Sequence, residues 1–255
     1  MDAQAILRCV GSGTGTSNTT KSLEAYDLGG VDCPLCGNTG QRIVKGEGLL
    51  DVRVFECECM NVRRSLRTIR NSGMSDMLER YTLDNYLTPD AERRAIKQSA
   101  EEFIKAPEGW YYIAGRSGSG KTHICTAICG ELIRRGKRTL YMLWRDESTK
   151  LKSGLTDREW YEKRIDRLKT VPVLYIDDFF KARKTEGQTK VTDGDVNLAF
   201  EILNCRYNDK KLRTIISSEL TLPEILDIDE ATGGRIYERA RGFVKKAPAE
   251  NWRLK

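Results

Sequence analysis

The segment GRSGSGKT, residues 115–122, constrains the fold of this chain more than any other feature. It fits the pattern G-x-x-x-x-G-K-[ST], in which glycines let the backbone wrap closely around phosphate groups at the start of a helix. The apolar run WYYIA precedes it and THICTAICGELIRRG follows it as a helix, the context that the pattern requires. A chance turn rich in glycine and serine would not have both neighbours. We therefore predict a strand, a phosphate-binding loop and a helix.

The chemistry of this loop assigns roles to individual residues. Lys121 is predicted to neutralise the β- and γ-phosphates of a nucleoside triphosphate, and Thr122 to ligate Mg²⁺ through its hydroxyl. His123, the only histidine, is most simply a side chain on the first helical turn without a catalytic role. The predicted nucleotide-contacting residues of this segment are Gly115, Arg116, Ser117, Gly118, Ser119, Gly120, Lys121, Thr122 and His123.

Two acids, Asp177 and Asp178, directly follow the apolar run VLYI. A carboxylate at the end of such a strand can hold Mg²⁺, and we assign that role to Asp177. Asp178 stands where ATPases of this kind place the carboxylate that polarises the attacking water, although glutamate is commoner there. The alternative is a pair of acids that only caps a strand in an ordinary turn. The 56 positions from Lys121 to Asp177 leave room for a further βα unit, which favours the Mg²⁺ site.

The chain after the first 80 residues alternates short apolar runs with amphipathic segments, which is typical of an α/β protein with a parallel sheet flanked by helices. Strands are predicted at 110–114, 139–144, 171–177 and 213–218, and helices near 90–105, 121–135, 156–169, 194–208 and 234–241. A polar side chain at the tip of the last strand could touch the γ-phosphate, and the candidates are Ser217, Ser218 and Glu219. We interpret LWRDESTKLK, residues 143–152, as a loop that could face DNA through Lys150 and Lys152.

Four of the eight cysteines form two close pairs, in CPLCG and in CEC. The turn in C-P-x-C-G brings two thiolates to one cation, and structural zinc takes four nitrogen or sulfur ligands. Since the only histidine belongs to the phosphate-loop helix, the predicted ligands of Zn²⁺ are Cys33, Cys36, Cys57 and Cys59. A redox dithiol or a chance cluster is the alternative. Cys125 and Cys129 are interpreted as small packing residues of a helix.

Composition places the chain among globular proteins, with 39% hydrophobic and 31% charged residues and a formal charge of +6. No apolar run approaches a membrane span and no export signal is visible, so we expect a cytoplasmic protein without membrane contact. The basic residues Arg63, Arg64, Arg67 and Arg70 could follow DNA or only face solvent. The predicted units are a flexible arm at 1–30, a zinc module at 31–62, a basic helical linker at 63–80 and an ATPase domain at 81–255.

Together these motifs resemble the AAA+ replicative helicase loaders of the DnaC/DnaI type and their relatives, the IstB-like ATP-binding proteins. The resemblance covers residues 81–255 and rests on RYTLDNYLTPD, the phosphate loop, VLYIDDFF, RTIISSELTLPEI and GGRIYERARGF. It implies a P-loop AAA+ sheet that binds ATP and Mg²⁺ between neighbouring subunits and holds single-stranded DNA. It also implies a replicative hexameric helicase as partner, which DnaI-type members contact through an N-terminal zinc module.

The resemblance also implies roles for residues near the end of the chain. Arg239 matches the arginine finger that reaches the ATP of the next subunit, and Arg235, one turn earlier, is the alternative. Arg253 resembles a second phosphate sensor. Glu219 departs from the sensor asparagine that many members have, and a carboxylate would repel the γ-phosphate unless a cation intervenes. If Glu219 does not sense the phosphate directly, Ser218 or a water would take the sensing role.

The function implied is an ATPase, weak alone and stimulated by DNA, that delivers a helicase onto single-stranded DNA when replication starts. An IstB-like transposition ATPase is one alternative, although the cysteine module argues against it. The other is a nucleotide-gated adaptor that binds ATP but barely hydrolyses it, which the residues Asp178 and Glu219 keep open.

Overall fold

A computed structural model describes residues 33–45, 52–71, 75–181, 184–185, 188–189 and 191–252. The predicted arm at 1–30 and Arg253 lie outside these residues. The strands are β1 (Gln41–Lys45), β2 (Val52–Glu56), β3 (Trp110–Ala114), β4 (Thr139–Leu143), β5 (Val173–Phe179), β6 (Lys184–Thr185), β7 (Gln188–Thr189), β8 (Arg213–Ser218) and β9 (Val244–Lys246). The helices are α1 (Cys59–Asn71), α2 (Ser75–Arg80), α3 (Ala91–Lys105), α4 (Lys121–Arg134), α5 (Trp144–Ser153), α6 (Arg158–Thr170), α7 (Asp193–Asn208), α8 (Leu222–Ile228) and α9 (Glu230–Arg239).

A parallel sheet with the strand order β4-β5-β8-β3-β9 forms the centre of the molecule. All residues of β3 and β8 are buried, as expected for parallel strands that helices cover on both faces. Parallel strands end at one edge of a sheet, and Ala114 at the end of β3 pairs with Ser218 at the end of β8. The loops after β3, β5 and β8 therefore lie side by side, which is where α/β proteins bind ligands. The predicted α/β fold is confirmed.

Alternate side chains of the central strands pack into two apolar clusters, one on each face of the sheet. On one face Tyr111 packs with Phe103 of α3 and Ile128 of α4. On the other face Ile216 packs with Ile202 of α7. Each such side chain contributes about 1.5–3 kcal/mol on burial, so the sheet is a stable platform for the loops at its edge. Within the part of the chain that is described, no helix combines the length and apolar character needed to cross a membrane.

The segment interpreted as a loop that could face DNA forms helix α5 from Trp144 to Ser153, so the prediction of a loop is wrong. Trp144, predicted to end a strand, is the first residue of this helix and packs edge-on against Phe179, with ring centroids 4.9 Å apart. Lys152 forms an ion pair with Asp195 of α7, with Nζ and Oδ1 2.6 Å apart. The buried residues of α5 include only two large apolar side chains, Trp144 and Leu151, which is too few for a periodic signal in the sequence.

Strand β9 was not predicted, because its three residues carry no apolar pattern. Its outer residues are exposed, and it joins the sheet through backbone pairing of Tyr112 with Val244 and of Ala114 with Lys246. Ala247 then donates its N–H to the carbonyl of Ala114 at 2.7 Å. This pairing brings the last described residues, up to 252, beside the phosphate loop.

Helix α1 begins at Cys59 and lies against β4, the strand at one edge of the sheet. The Ser65 hydroxyl oxygen accepts a hydrogen bond from the Thr139 N–H at 3.0 Å, which satisfies a donor on the open side of the edge strand. Val62 is buried in the apolar cluster that also contains Ile128. The helices predicted for the 63–80 connector are present as α1 and α2, and α1 is anchored to the sheet by these contacts.

Candidate nucleotide-binding site and cysteine centre

The loop between β3 and α4 has the backbone shape that its glycines permit. Gly118 has φ +79° and a side chain there would collide with Asn251, while Gly115 has φ +156° and lies against Ala247. The Trp252 N–H donates to the Gly118 carbonyl at 3.0 Å. Residues 247–252 thus pack across the loop at contact distance, which only glycine allows at these positions.

Lys121 is buried, with 5% of its surface exposed. Its ammonium donates to the carbonyls of Gly115 at 2.8 Å and Arg116 at 3.0 Å, so the side chain curls back over the loop. Burial lowers the pKa of Lys121, and the carboxylates of Asp178, Glu219 and Asp177 oppose that shift. The ammonium is therefore held inside the loop, among groups of opposite charge.

Asp177 accepts hydrogen bonds from side chains on four different elements. Oδ1 accepts from the hydroxyls of Thr122 at 3.3 Å, Tyr175 at 2.8 Å and Ser217, and Oδ2 accepts from Tyr141 at 3.2 Å. Burial and the adjacent carboxylate raise the pKa of Tyr175 and Tyr141, so both phenols remain donors. The carboxylate is 4% exposed and is held rigidly beside the Thr122 hydroxyl. This pair of oxygen donors fits the ligand preference of Mg²⁺.

Asp178 and Glu219 share one cation, Lys181, which the sequence analysis did not single out. The Lys181 ammonium lies 2.9 Å from Asp178 Oδ2 and 3.1 Å from Glu219 Oε1. Although burial disfavours the charged form, the hydrogen bonds to these two carboxylates raise the pKa of Lys181. A lysine three residues after an acid was the only signal in the sequence, and it did not indicate the second partner.

The two serines at the end of β8 have different surroundings. Ser217 contacts Asp177 and accepts the Asp178 N–H at 3.2 Å, so it connects β8 to both acids. Ser218 is fully buried, where its hydroxyl donates to the Phe179 carbonyl at 2.7 Å and accepts from the Leu220 N–H at 3.1 Å. The structure therefore directs the Ser218 hydroxyl to backbone groups of the sheet edge, and Ser217 to the acid pair.

A cleft of about 340 Å³ brings most of the predicted loop residues together. Its lining includes the predicted residues Ser117, Gly118, Gly120, Lys121, Thr122, His123 and Asp178. The remaining walls are Met77, Tyr81, Lys181 and Trp252. Of the other predicted loop residues, Ser119 is buried and its N–H donates to the Arg116 carbonyl at 3.3 Å.

His123 is part of an aromatic cluster at one end of this cleft. Its ring stacks on Tyr81, with centroids 4.8 Å apart, and meets Tyr86 edge-on at 5.2 Å. Nε2 donates to the Thr82 carbonyl at 2.9 Å. Burial lowers the pKa of His123, which that hydrogen bond only partly offsets, so the ring is neutral at pH 7.

Arg235 and Arg239 lie on α9 and contact their own chain away from the phosphate loop. Arg235 donates to Asn204 Oδ1 at 3.0 Å and covers the Phe200 ring, 4.7 Å from its centroid. Arg239 donates to the Lys210 carbonyl at 3.0 Å, and its guanidinium carbon lies 5.9 Å from the centroid of Trp110, the first residue of β3. The phosphate loop follows the other end of β3, so neither arginine is placed with the loop of its own chain.

The four cysteines predicted as metal ligands converge on one point. Their sulfur atoms all lie within 4.8 Å of one another, with Cys33 and Cys57 3.7 Å apart and Cys36 and Cys59 3.6 Å apart. A disulfide would require about 2.05 Å. Zinc bound at about 2.3 Å by four tetrahedral thiolates separates the sulfurs by about 3.8 Å. The cluster therefore fits a structural zinc ion.

Backbone groups of the first cysteine turn support that fit. Burial raises the pKa of Cys36, but hydrogen bonds from the Gly40 backbone and from the other thiols lower it to about 7, whereas burial raises the pKa of Cys57 and of Cys59. The Cys33 N–H donates to Asn38 Oδ1 at 2.8 Å, and the Cys57 N–H donates to the Gly40 carbonyl at 2.8 Å. The first bond closes the turn of the first cysteine pair, and the second joins that turn to the second pair. Cys125 and Cys129 are buried in the sheet core, as predicted for packing residues.

Comparisons with known proteins agree with this geometry. Residues 48–229 match the family described as IstB-like ATP binding protein. The chain is 35% identical to YqaM, an uncharacterized protein of Bacillus subtilis strain 168, over 74% of this chain and 62% of YqaM, which is less than two thirds of that relative. It is 26% identical to the replicative helicase loader DnaC of Escherichia coli strain K12, over 80% of this chain and 81% of DnaC.

The solved structure of DnaI has the same sheet architecture. It superposes with a TM-score of 0.55 at 25% identity, over 68% of this chain and 93% of the DnaI chain. The family match, residues 48–229, includes the phosphate loop and the acid pair. This chain therefore belongs to the IstB-like ATP-binding protein family and has the AAA+ fold of the DnaC and DnaI proteins.

Proposed function

We propose that this protein is an ATP-driven loader that binds a replicative hexameric DNA helicase in the cytoplasm and delivers it onto single-stranded DNA. The observation that carries the proposal is the convergence of Lys121, Thr122, Asp177 and Asp178 at one edge of the sheet. Its support from relatives is the 26% identity to a replicative helicase loader.

In this proposal the phosphates of ATP bind the loop of residues 115–120, and Lys121 contacts the β- and γ-phosphates. Thr122 and Asp177 would hold Mg²⁺, which would supply positive charge to offset that of the phosphates. The adenine base packs against Met77, Tyr81 and Trp252, which line the same cleft as the loop residues.

Hydrolysis requires a water aligned with the γ-phosphorus. The water oxygen bonds to the γ-phosphorus, and Asp178 accepts a proton from that water. The bond from the γ-phosphorus to the bridging oxygen of ADP breaks at the same time, which yields ADP and phosphate. Arg239 of a neighbouring subunit, or Arg235 as the alternative, stabilises the charge of this transition state. Both arginines are half-buried on α9, away from their own loop, which is consistent with action on another subunit.

The hairpin of β1 and β2 is the proposed helicase contact. Every residue of β2 is exposed, and the hairpin presents large apolar side chains to solvent. Those that are at least half exposed are Ile43, Val52, Val54 and Phe55. Apolar surface of this kind is typical of interaction sites, and the cysteine centre adjoins its base through the Cys57–Gly40 hydrogen bond.

A cleft lined by four arginines is the proposed route of the single-stranded DNA. Arg64 and Arg67 of α1, Arg138 before β4 and Arg167 of α6 surround a space of about 300 Å³. Cations in such a groove bind the phosphate backbone without reading its sequence. Arg64 also pairs with Glu56, so part of the charge is already offset.

The test is copurification with a hexameric helicase, with the stoichiometry measured in ATP and in ADP. We expect a complex whose amount depends on the nucleotide, and we expect Phe55→Ser to weaken it while Lys121→Ala removes the nucleotide dependence. Leu155→Ser, which changes another exposed apolar residue outside the hairpin, is the matched control. Absence of any complex under both nucleotides would contradict the loader function.

A nucleotide-gated adaptor is the second candidate, and the ion pair between Lys181 and Asp178 favours it because the proposed water-polarising carboxylate is engaged. ATP turnover measured with and without single-stranded DNA separates the two. A loader of this type hydrolyses ATP faster with DNA, whereas an adaptor shows binding without turnover.

A further inference from the structure

The ion network at the mouth of the cleft contains one cation for two carboxylates. Lys181 lies 2.9 Å from Asp178 Oδ2 and 3.1 Å from Glu219 Oε1, and about a third of its side chain is exposed. Lys181 and Asp178 line the same cleft as Lys121. The ammonium therefore faces the space in which the phosphate loop would hold a nucleotide.

The backbone fixes Lys181 at this place through a turn that few residues tolerate. Asp178 and Phe180 have φ +53° and +57°, in the left-handed region. Stacking of Phe179 on Phe180 at 4.1 Å and the Trp144 ring beside both hold this turn in the core. The Lys181 N–H also donates to the Asp178 carbonyl at 2.9 Å. Ring packing and this hydrogen bond hold the main chain of the turn, while about a third of the lysine side chain is exposed.

Charge explains why the lysine is needed there. Asp178 and Glu219 would both repel a γ-phosphate beside them, since like charges at short range disfavour one another. A terminal phosphate group carries a charge of about −1.5 to −2 at pH 7, against −1 for each carboxylate, so it attracts the ammonium more strongly. Lys181 is near enough to Lys121 that its charge contributes to the lowered pKa of that lysine, so the two cations face one small volume.

We propose that Lys181 is a ligand of the γ-phosphate, positioned by Glu219, and that its transfer from Asp178 to the phosphate leaves Asp178 available to the attacking water. The inference rests on the proposed ATPase function. Glu219 then has a function in the site, because its carboxylate holds the cation that senses the phosphate instead of sensing the phosphate itself.

The test compares ATP and ADP affinity by direct titration, since ADP lacks the γ-phosphate. We expect Lys181→Ala to weaken ATP binding about tenfold, the effect of losing about 1.4 kcal/mol, and to leave ADP binding within about twofold. Lys163→Ala, which removes one charge from the exposed side of α6, is the matched control and should leave both affinities unchanged. Retained ADP binding also shows that the variant is folded.

The double variant Lys181→Ala/Glu219→Gln tests whether Lys181 contacts the γ-phosphate or only neutralises the charge of Glu219. If Lys181 binds the γ-phosphate, the double variant keeps the loss of ATP affinity, because the ligand is still missing. Recovery of wild-type ATP affinity would overturn the inference, since Lys181 would then only offset the charge of Glu219. The inference would also be overturned if Lys181→Ala still hydrolysed ATP and preferred ATP over ADP as strongly as the wild type does. That result would leave the ATPase proposal intact. If the wild-type chain binds no ATP, both fail.

Discussion

The Thr122 hydroxyl donates to Asp177 Oδ1 at 3.3 Å, although 55 positions separate the two residues in the chain. This contact joins the first turn of α4 to the end of β5 across the intervening strand β8. It brings together two oxygen groups that suit Mg²⁺ at the entrance to the phosphate loop.

Asp177→Asn is expected to lower Mg²⁺-dependent ATP turnover by about 10²-fold, because the metal loses a charged ligand at the site of developing charge. Turnover measured across a range of Mg²⁺ concentrations checks this. Asp166→Asn, on the exposed side of α6, is the control for loss of one acid. Turnover within threefold of wild type would contradict the assignment of Asp177.

Asp177→Ala is expected to lower the free energy of unfolding by about 1–3 kcal/mol, since buried hydroxyls lose their acceptor. The affected donors are Tyr175 and Ser217, which are both fully buried. Urea unfolding of the two Asp177 variants measures the difference. The Asn variant keeps a carbonyl oxygen and should retain most of the stability, so equal loss in both would argue against this account.

The cysteine centre should bind about one zinc ion per chain, with a four-thiolate ligand set. Cys36→Ser is expected to lower the zinc content strongly and to make the hairpin of β1 and β2 sensitive to protease. Cys205 is exposed and lies outside the cluster, so Cys205→Ser should retain the metal. Zinc measured by chelator release tests both, and a Cys36→Ser protein with full zinc content would refute the assignment.

Arg239→Ala is expected to reduce DNA-stimulated ATP turnover by roughly 10³-fold if it is the finger for a neighbouring subunit. The matched control is Arg241→Ala, two residues later and exposed. Mixing Arg239→Ala with Lys121→Ala should restore part of the activity, because one variant keeps a working phosphate loop and the other keeps the arginine. No recovery on mixing, with each variant folded, would count against action between subunits.

His123 should make stability depend on pH. Burial lowers its pKa in the folded chain, so the unfolded chain takes up a proton first as the pH falls. Stability is full above the ordinary histidine pKa of about 6.5 and decreases as the pH falls below it. Urea unfolding at pH 7.5 and pH 5.5 should show a larger decrease for the wild type than for His123→Phe. Because this is the only histidine, equal decreases would contradict the prediction.

Some features of this protein follow from local sequence. The strands at 110–114 and 213–218 were predicted with the bounds that the structure gives them, because buried parallel strands are continuous apolar runs between polar loops. The glycine spacing of the phosphate loop, the two acids near the end of β5 and the two cysteine pairs are also local patterns. In each of these patterns, residues that are close in the sequence are enough to predict the kind of binding site.

Other features were decided only by the tertiary structure. Lys181 could not be assigned from its neighbours, since its second partner, Glu219, lies on a separate strand end. The same holds for β9, whose strand character comes from backbone pairing with β3, and for residues 247–252, which reach the phosphate loop through that pairing. Polar and short segments carry no periodic apolar signal, so their place depends on partners that are distant in the chain. The sequence by itself determined which residues can bind phosphate and metal, and the fold determined which charges stand beside them.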